Sequence, residues 1–207
     1  MKSQIPISTD YFTAVHTSVE QVAIDGSTAL RVIKKDKINL FDENTYAKIK
    51  DVSFHNGVIE VRLKSRLLSD APDFARGFIG IVFRANETDS EFESFYVRPT
   101  NGRGCKDPVR KTHGCQYFSY PGYTFNYFRE FGITSYEAPV EVALDEWFAL
   151  KAVVEDATAS FYLNDSQTPV LTVRDLKHGL GKHGTVGIFV DIGTEAFVDN
   201  LSVTCRD

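Results

Sequence analysis

Short apolar runs, each closed by a turn signal, most constrain what this chain can fold into. Gly57–Lys64 alternates cleanly, with Ile59, Val61 and Leu63 on one side and charged residues on the other. This is the pattern of an antiparallel strand that is buried on one face. Gly77–Arg84 is almost continuously apolar, which predicts a central strand covered on both faces. A period of two residues therefore dominates the sequence.

Six more segments have the same character, and helical patterns are scarce. The further predicted strands are Glu91–Arg98, Glu146–Glu155, Thr158–Asn164, Val170–Val173, Thr185–Asp191 and Glu195–Thr204. No window keeps an apolar stripe at helical spacing over three turns, and single helical turns are expected only within Asp36–Ala47 and near Asp175. Many short strands separated by Gly, Asn and Asp turns predict an all-β sandwich or barrel. With no repeat and no linker, residues 1–207 are expected to form one domain.

The composition narrows the expected partners. The chain of 207 residues carries a net charge of −5, so neither nucleic acid nor an anionic membrane is an expected partner. No apolar run approaches the roughly 18 residues of a membrane span, and the N-terminus lacks the apolar stretch of a signal peptide. The expected location is the cytoplasm, or outside the cell after removal of a leader. The oligomeric state stays open.

The cysteines do not form a disulfide framework or a metal motif. Cys105, Cys115 and Cys205 are too few, and odd in number. Cys105 and Cys115 would pair only in an oxidising compartment, so free thiols are expected. His113 lies in the same loop, but there is no C-x-x-C spacing and no obvious fourth ligand, which argues against zinc.

Several stretches resemble a known superfamily. Asp145–Val154 followed by Phe161–Asn164 is similar to the E-W-x-x-L-K-x-V-V and Y-x-N hairpin of the concanavalin A-like lectin/glucanase superfamily. Val186–Phe189 with Gly193–Leu201 is similar to the closing strands of laminin-G-like domains. It also resembles bacterial domains related to family 16 glycoside hydrolases and to 3-keto-disaccharide hydrolases. The same bacterial group is matched by Phe83-Arg84, Phe95–Asn101 and Gln116-Tyr117.

This resemblance implies a jelly-roll fold, which is an antiparallel two-sheet β-sandwich of the concanavalin A-like kind. It implies less about activity, because the superfamily includes lectins, glycoside hydrolases and non-catalytic interaction modules. The choice among these three functions therefore depends on the individual side chains.

Polar side chains within or just beyond the apolar strands predict a binding pocket. The set is Arg84, Tyr96, Arg98, Asn101, Gln116 and Tyr117. Arginine forks and amides bind hydroxyls and carboxylates with fixed geometry. The alternative is an internal network in which Arg84 or Arg98 pairs with Glu91 or Glu93.

An aromatic-rich segment, Tyr117–Tyr136, contains Pro121-Gly122 and must be largely a long connection. Long ordered loops are often functional, and tyrosines suit stacking on sugar rings. Arg129 would supply a polar group in this loop. The alternative is a loop that its own aromatic residues pack against the sheet. The preferred hypothesis is a carbohydrate-binding domain, with a saccharide on the concave sheet face under this loop.

The second hypothesis is an enzyme that acts on saccharides. Asp89, Glu91 and Glu93 would share one face of a strand, and carboxylate pairs cleave glycosidic bonds as acid and as nucleophile or base. The resemblance to family 16 hydrolases implies Glu-x-Asp-x-Glu, whereas this chain has Asp-x-Glu-x-Glu. Glu93 and Glu91 are the candidate catalytic residues. The alternative is a solvated acidic face.

Asp199 is the candidate metal ligand. By parity it shares a face with Phe197, Leu201 and Val203, and an inward carboxylate needs a partner or a metal. Several jelly-roll sugar-binding modules place an Asp near the last strand as a calcium ligand, and Asp199 alone resembles it, so a structural calcium is considered and no other cofactor is expected. A bulge at Asp199-Asn200 would turn the side chain to the other face.

The third hypothesis is a non-catalytic interaction module, as in laminin-G-like domains. It predicts no deep pocket, and an exposed aromatic patch larger than a few hundred Å².

Overall fold

The computed structural model describes residues 2–206, whose strands form two antiparallel sheets. In chain order the strands are β1 (Lys2–Ile5), β2 (Phe12–Val15), β3 (Thr17–Ile24), β4 (Ser27–Lys34), β5 (Tyr46–Ile49), β6 (Asn56–Leu67), β7 (Ile79–Ala85), β8 (Phe92–Val97), β9 (Cys115–Tyr120), β10 (Glu137–Ala138), β11 (Phe148–Glu155), β12 (Thr158–Leu163), β13 (Leu171–Val173), β14 (Thr185–Val190) and β15 (Thr194–Arg206). Two short helices, α1 (Pro108–Lys111) and α2 (Phe125–Glu130), lie on either side of β9 in the chain.

The two sheets confirm the predicted β-sandwich. Sheet A has the order β13-β12-β11-β6-β15-β4-β3, and β1 pairs with the far part of β15. Sheet B has the order β10-β9-β8-β7-β14-β5-β2. All eight strands predicted from the sequence are present, within a few residues at their ends.

The prediction of single helical turns is wrong. Asp36–Ala47 contains bends and a turn, and it ends in β5. Lys37 and Asp42 have φ of 54° and 51° there, values that interrupt a right-handed helix. The chain near Asp175 likewise forms only bends and turns.

The interior between the sheets is aromatic at its centre. Phe95 of β8 stacks on Phe161 of β12, with ring centroids 4.2 Å apart and planes within 8°. Phe83 of β7 also contacts Phe161, at 6.3 Å. Because side chains alternate along β8, Glu93, Phe95 and Val97 point into this interior.

The outer face of sheet B carries a second aromatic layer, the outer aromatic layer, which is formed by Tyr46, Phe92, Tyr96, Phe118 and Phe189. These rings are buried, because connections from elsewhere in the chain cover them. The connections that precede β5 and β7, together with the aromatic-rich loop after β9, pack on this face. Sheet B is therefore enclosed on both sides, which explains its nearly continuous apolar strands.

Two smaller observations complete the fold. Cys105 and Cys115 are not joined by a disulfide. Within residues 2–206, no helix has the length and apolar character needed to cross a membrane.

Candidate functional site

A pocket of about 210 Å³ lies over the outer aromatic layer, beside the start of β7 and the end of β8. One side is a wall of phenylalanines: Phe41, Phe74, Phe78 and Phe125. The other lining side chains are Arg76, Tyr96, Arg98, Asn101, Arg110, His113 and Arg129. The volume is below the roughly 300–1,000 Å³ of pockets for drug-sized ligands, so the pocket suits a small group such as one sugar residue.

The phenylalanine wall is a continuous apolar surface. The ring of Phe41 lies 5.7 Å from Phe74 and 5.8 Å from Phe125. Phe78 joins the wall to the floor, with its ring 5.8 Å from that of Tyr96. Phe74 is 45% exposed, an unusual position for a large apolar side chain, and it forms the rim. Such a surface offers stacking to the apolar face of a ring.

Arg98 is fixed at the base of the pocket. Its Nη1 donates to Oε1 of Glu137 at 2.8 Å and to the carbonyl of His113 at 3.2 Å. Its Nη2 donates to the hydroxyl of Tyr96 at 3.0 Å and to Oε1 of Gln116. Burial opposes its charge, but Tyr96 and Glu137 outweigh burial and raise the pKa of Arg98. The guanidinium is thus held in one orientation.

Glu137 connects several pocket side chains. Its carboxylate accepts hydrogen bonds from Arg98 at 2.8 Å, Arg129 at 3.1 Å and His113 at 2.9 Å. Its side chain is only 5% exposed. Because β10 places Glu137 opposite Gln116 of β9, a two-residue strand positions this carboxylate. One buried anion therefore organises the cationic side of the pocket.

Asn101 and Arg110 form the next part of the polar lining. The amide nitrogen of buried Asn101 donates to the carbonyl of His113 at 3.0 Å. Its Oδ1 accepts from Nε and Nη2 of Arg110, at 3.1 and 3.0 Å. Arg110 belongs to α1, which Asp107 caps by accepting from two backbone amides. The cap and the amide together direct this guanidinium toward the pocket.

Asp42 is a buried carboxylate next to these groups. Its Oδ2 accepts from the amide of Phe125, at the start of α2, and its Oδ1 has no hydrogen-bond partner within the described chain. The neighbouring Asp191 pairs with Lys34 at 2.6 Å. Burial, and then the charge of Asp191, raise the pKa of Asp42 to about 7.

The structure brings together five of the seven predicted binding residues: Tyr96, Arg98, Asn101, Gln116 and Arg129. Gln116 lies beneath the pocket and supports Arg98. The alternative of an internal network is also partly realised, because Arg98 pairs with a glutamate, but the partner is Glu137.

Arg84 and Tyr117 lie away from the pocket. Arg84 is at the opposite end of β7, has φ of 54°, and donates to the carbonyls of His55 and Asp156. Tyr117 follows Gln116 in β9, so it points to the opposite face, into the interior. These two residues do not line the site with the other five.

The candidate catalytic carboxylates also lie at the far end of β8. Glu93 is fully buried and accepts from the hydroxyl of Tyr117 at 2.6 Å and from the amide of His178 at 3.0 Å. Glu91 lies just before β8 and pairs with Lys182 at 2.8 Å. Neither lines the pocket described above. Their catalytic role stays a prediction.

The expected carboxylate ladder is not continuous. Asp89 lies in the turn before β8 with φ of 57°, and its carboxylate binds the side chains of Tyr46 and Lys48. The turn removes it from the face shared by residues 91 and 93.

Residue parity predicted that Asp199 shares a face with Leu201 and Val203, and this prediction is wrong. The pairing of β15 with β6 shifts register between Asp199 and Ser202, and this bulge reverses the alternation. Asp199 lies opposite Arg62, and the two side chains approach to 3.5 Å.

Burial raises the pKa of Asp199, and its Oδ1 lacks a hydrogen bond among residues 2–206. The same residues contain no cluster of three or more His, Cys, Asp or Glu side chains that would hold a metal. Calcium binding at Asp199 stays a prediction.

Several pocket residues were missed by the sequence interpretation: Phe41, Phe74, Arg76, Phe78 and Glu137. They come from connections and a two-residue strand, where no periodic pattern exists. The available signal was Asp107-Pro108, a helix cap followed by proline at the first helical position. It marks α1 and hence Arg110.

Comparison with solved structures identifies the fold. A carbohydrate-binding module, CBM66, from Bacillus subtilis superposes with a TM-score of 0.61 at 13% identity, covering 94% of this chain and 96% of that one. A Bacillus subtilis protein of unknown function with a galectin-like fold gives 0.56 at 12% identity, covering 96% and 92%. The xylan β-1,4-xylosidase of Bacillus halodurans gives 0.51 at 16%, covering 85% of this chain and 33% of that one.

At these identities the likeness establishes the fold alone. The chain has a two-sheet β-sandwich fold similar to those of CBM66 and of the galectin-like protein, which agrees with the fold that the sequence resemblance implies. No protein-family model matches the sequence, and no curated protein matches it significantly.

Proposed function

We propose that the protein binds a saccharide in the pocket over sheet B, against the phenylalanine wall. The observation that carries the proposal is the meeting of two features in one small pocket. The wall of Phe41, Phe74 and Phe125 offers an apolar stacking surface. Arg110, whose guanidinium is fixed by Asn101, offers donors to the same space, beside the charge of Arg98. Sugar rings present both an apolar face and hydroxyls, so they match this combination.

Rigidity of the site supports binding. The Arg98 guanidinium already makes four hydrogen bonds, so its position does not depend on a ligand. A preorganised site loses less conformational freedom when it binds. The fold gives further support, because a sandwich of similar structure is a carbohydrate-binding module.

Calorimetric titration and thermal unfolding with mono- and oligosaccharides test the proposal. A bound sugar at 100 times its dissociation constant should add about 2.7 kcal/mol of stability. For a domain of this size, that raises the unfolding temperature by roughly 5–10 °C.

Phe74→Ala supplies the site variant, because Phe74 is 45% exposed and its loss leaves the core intact. We expect it to weaken sugar binding about tenfold, or about 1.4 kcal/mol. Phe131→Ala is the matched control, since Phe131 is 62% exposed and lies outside the pocket. Equal effects of the two substitutions, or no sugar binding at all, would contradict the proposal.

A further inference from the structure

The charged groups that line the pocket are all basic. They are Arg76, Arg98, Arg110 and Arg129, with His113 beside them and no acidic side chain in the lining. The whole chain, in contrast, carries a net charge of −5. The pocket therefore concentrates positive charge on an acidic protein, and overall composition does not account for it.

Only part of this charge is neutralised within the protein. Arg98 and Arg129 both contact the carboxylate of Glu137, at 2.8 and 3.1 Å. Arg76 and Arg110 have no carboxylate within 4.0 Å in the described part of the chain, and both are held by neutral acceptors. Arg76 donates through Nη1 to the carbonyls of Asp73 and Ala75, at 2.6 and 2.8 Å.

Arg110 donates to Oδ1 of Asn101 through Nε and Nη2, at 3.1 and 3.0 Å, and to Thr100 at 3.3 Å. Nε and Nη2 of Arg76, and Nη1 of Arg110, have no acceptor among residues 2–206. The two guanidiniums are thus positioned by hydrogen bonds, while donors and charge remain available to a ligand.

The arginines also repel one another. Burial, followed by the charges of Arg110 and Arg98, lowers the pKa of Arg76. A cluster of like charges destabilises the folded state unless an anion compensates it. Its presence here is explained if function requires it. An anionic group between Arg76 and Arg110 would relieve this repulsion and satisfy the open donors.

We infer that the pocket takes an acidic saccharide, whose anionic group binds between Arg76 and Arg110 while its ring lies against the phenylalanine wall. The inference rests on the proposed function and specifies its ligand class. Planar arginine forks pair in bidentate fashion with carboxylates and with tetrahedral oxyanions. The anionic group is therefore a uronic-acid carboxylate or a sulfate ester, and the test distinguishes the two.

The test compares matched sugars by calorimetric titration of the full chain. Galacturonate and galacturonate oligomers are compared with galactose and galactose oligomers, glucuronate with glucose, and galactose 6-sulfate with galactose. We expect an acidic sugar to bind at least about tenfold more tightly than its neutral match. In 0.5 M salt, screening of the charges should reduce this preference roughly severalfold. Whichever acidic sugar binds more tightly, the uronate or the sulfate ester, identifies the anionic group.

Arg76→Gln and Arg110→Gln should each remove most of the preference, about tenfold, so that the acidic sugar and its neutral match bind each variant with similar affinity. Arg103→Gln is the matched control, because exposed Arg103 pairs with Glu146 outside the pocket. Near-ultraviolet circular dichroism checks that the variants are folded. Two pocket variants are used so that misfolding of one leaves the other as the test.

Each outcome has one meaning. Acidic preference that is lost in the pocket variants and kept in Arg103→Gln supports the inference. Equal binding of neutral and acidic sugars overturns the inference and leaves the proposed function standing. Binding of acetate or sulfate alone, as tight as that of the acidic sugar, shows an anion site without saccharide recognition and overturns it as well. Absence of binding by every sugar overturns both.

Discussion

Asp42 illustrates how one residue joins the pocket to the fold. Its carboxylate accepts from the amide of Phe125, which begins α2, and its own amide donates to Asp191 at 3.0 Å. Lys34 neutralises only one of the two buried carboxylates. The φ of 51° at Asp42 is a left-handed conformation that aspartate and asparagine adopt more readily than most residues.

The raised pKa of Asp42 predicts a pH-dependent stability. In the unfolded chain this carboxyl ionises near pH 4, whereas in the folded chain it stays protonated up to about pH 7. The folded form therefore binds the extra proton, so its contribution to stability is present at low pH and is lost as pH rises from about 4 to about 7. The loss is up to about 4 kcal/mol.

Asp42→Asn should remove this loss. We expect the variant to match the wild type near pH 4 and to have the higher unfolding temperature at pH 8, measured by thermal unfolding across this range. Asp191, Lys34, Tyr96 and Arg98 face the same group and are unchanged in both proteins. Asp36→Asn, at an exposed carboxylate of the same connection, is the control. Parallel curves for wild type and Asp42→Asn would contradict the prediction.

At the same scale, the sequence identified site residues that lie in strands or just beyond them, and it identified Arg129 through the aromatic-rich segment. Tyr96 and Gln116 were predictable because polar groups interrupt apolar strands, and register places them opposite each other. Alternation alone indicates that Tyr117 and Gln116, as neighbours in one strand, point to opposite faces of the sheet. Arg76 and Glu137 were not predictable, since their roles depend on how distant connections meet over sheet B.

At the scale of elements, the aromatic-rich loop is packed down by its own aromatic residues and also lines part of the pocket. Phe128 is 2% exposed and packs on Tyr136 with ring centroids 4.7 Å apart, so the loop is packed down by its own aromatic residues. Phe125 and Arg129, on the same helix α2, line the pocket. The ring of Phe125 lies 5.1 Å from the Arg129 guanidinium. One short helix thus buries one face and presents the other.

Phe128→Ala should therefore loosen the loop without unfolding the sandwich. Removal of a buried phenylalanine from a rigid core costs roughly 3–5 kcal/mol, but here the cost is limited to the free energy of opening residues 121–136. Hydrogen-exchange mass spectrometry should show faster exchange in this segment and unchanged protection in β7 and β8. The affinity for the ligand should also fall, because this loop carries part of the pocket lining. Uniform loss of protection across both sheets would refute this separation.

Element prediction found the strands β6 to β8 and β11 to β15 and missed β1 to β5, β9 and β10, so it failed at some internal strands as well as at edges. The strands β6 to β8 and β11 to β15 have clear patterns because their faces are buried. The N-terminal strands β1 to β5 were not recognised, and β3 shows why: it lies at the edge of sheet A and is mostly exposed or half-buried. Exposed edges impose little hydrophobic alternation on the sequence.

At the scale of the whole molecule, contact between the sheets predicts that the sandwich unfolds as one cooperative unit. The stack of Phe95 on Phe161 joins sheet B to sheet A at the centre of the core. The sequence predicted the two sheets, because the superfamily resemblance and the alternation of apolar residues both indicated a β-sandwich. It predicted the aromatic-rich loop over one sheet face, but not the connections before β5 and β7 that form the pocket together with this loop.

Phe161→Ala should destabilise both sheets together. We expect the free energy of unfolding to fall by roughly 3–5 kcal/mol, because a cavity replaces the stacked ring. Urea unfolding followed by Trp147 fluorescence and by far-ultraviolet circular dichroism should give coincident transitions at a lower midpoint. Ile38→Ala, at a side chain that is 55% exposed, is the control and should change stability by less than about 0.5 kcal/mol. Separate transitions for the two signals would show that the sheets unfold independently.

The pairing of β1 with β15 has a practical consequence. Lys2 lies beside Thr204, so both ends of the described chain meet on sheet A. The pocket lies over the outer face of sheet B, on the other side of the sandwich. A tag or tether at either end therefore anchors the molecule by the layer away from the pocket. Immobilised on a sensor chip or a resin in this way, the protein turns its pocket toward the solution.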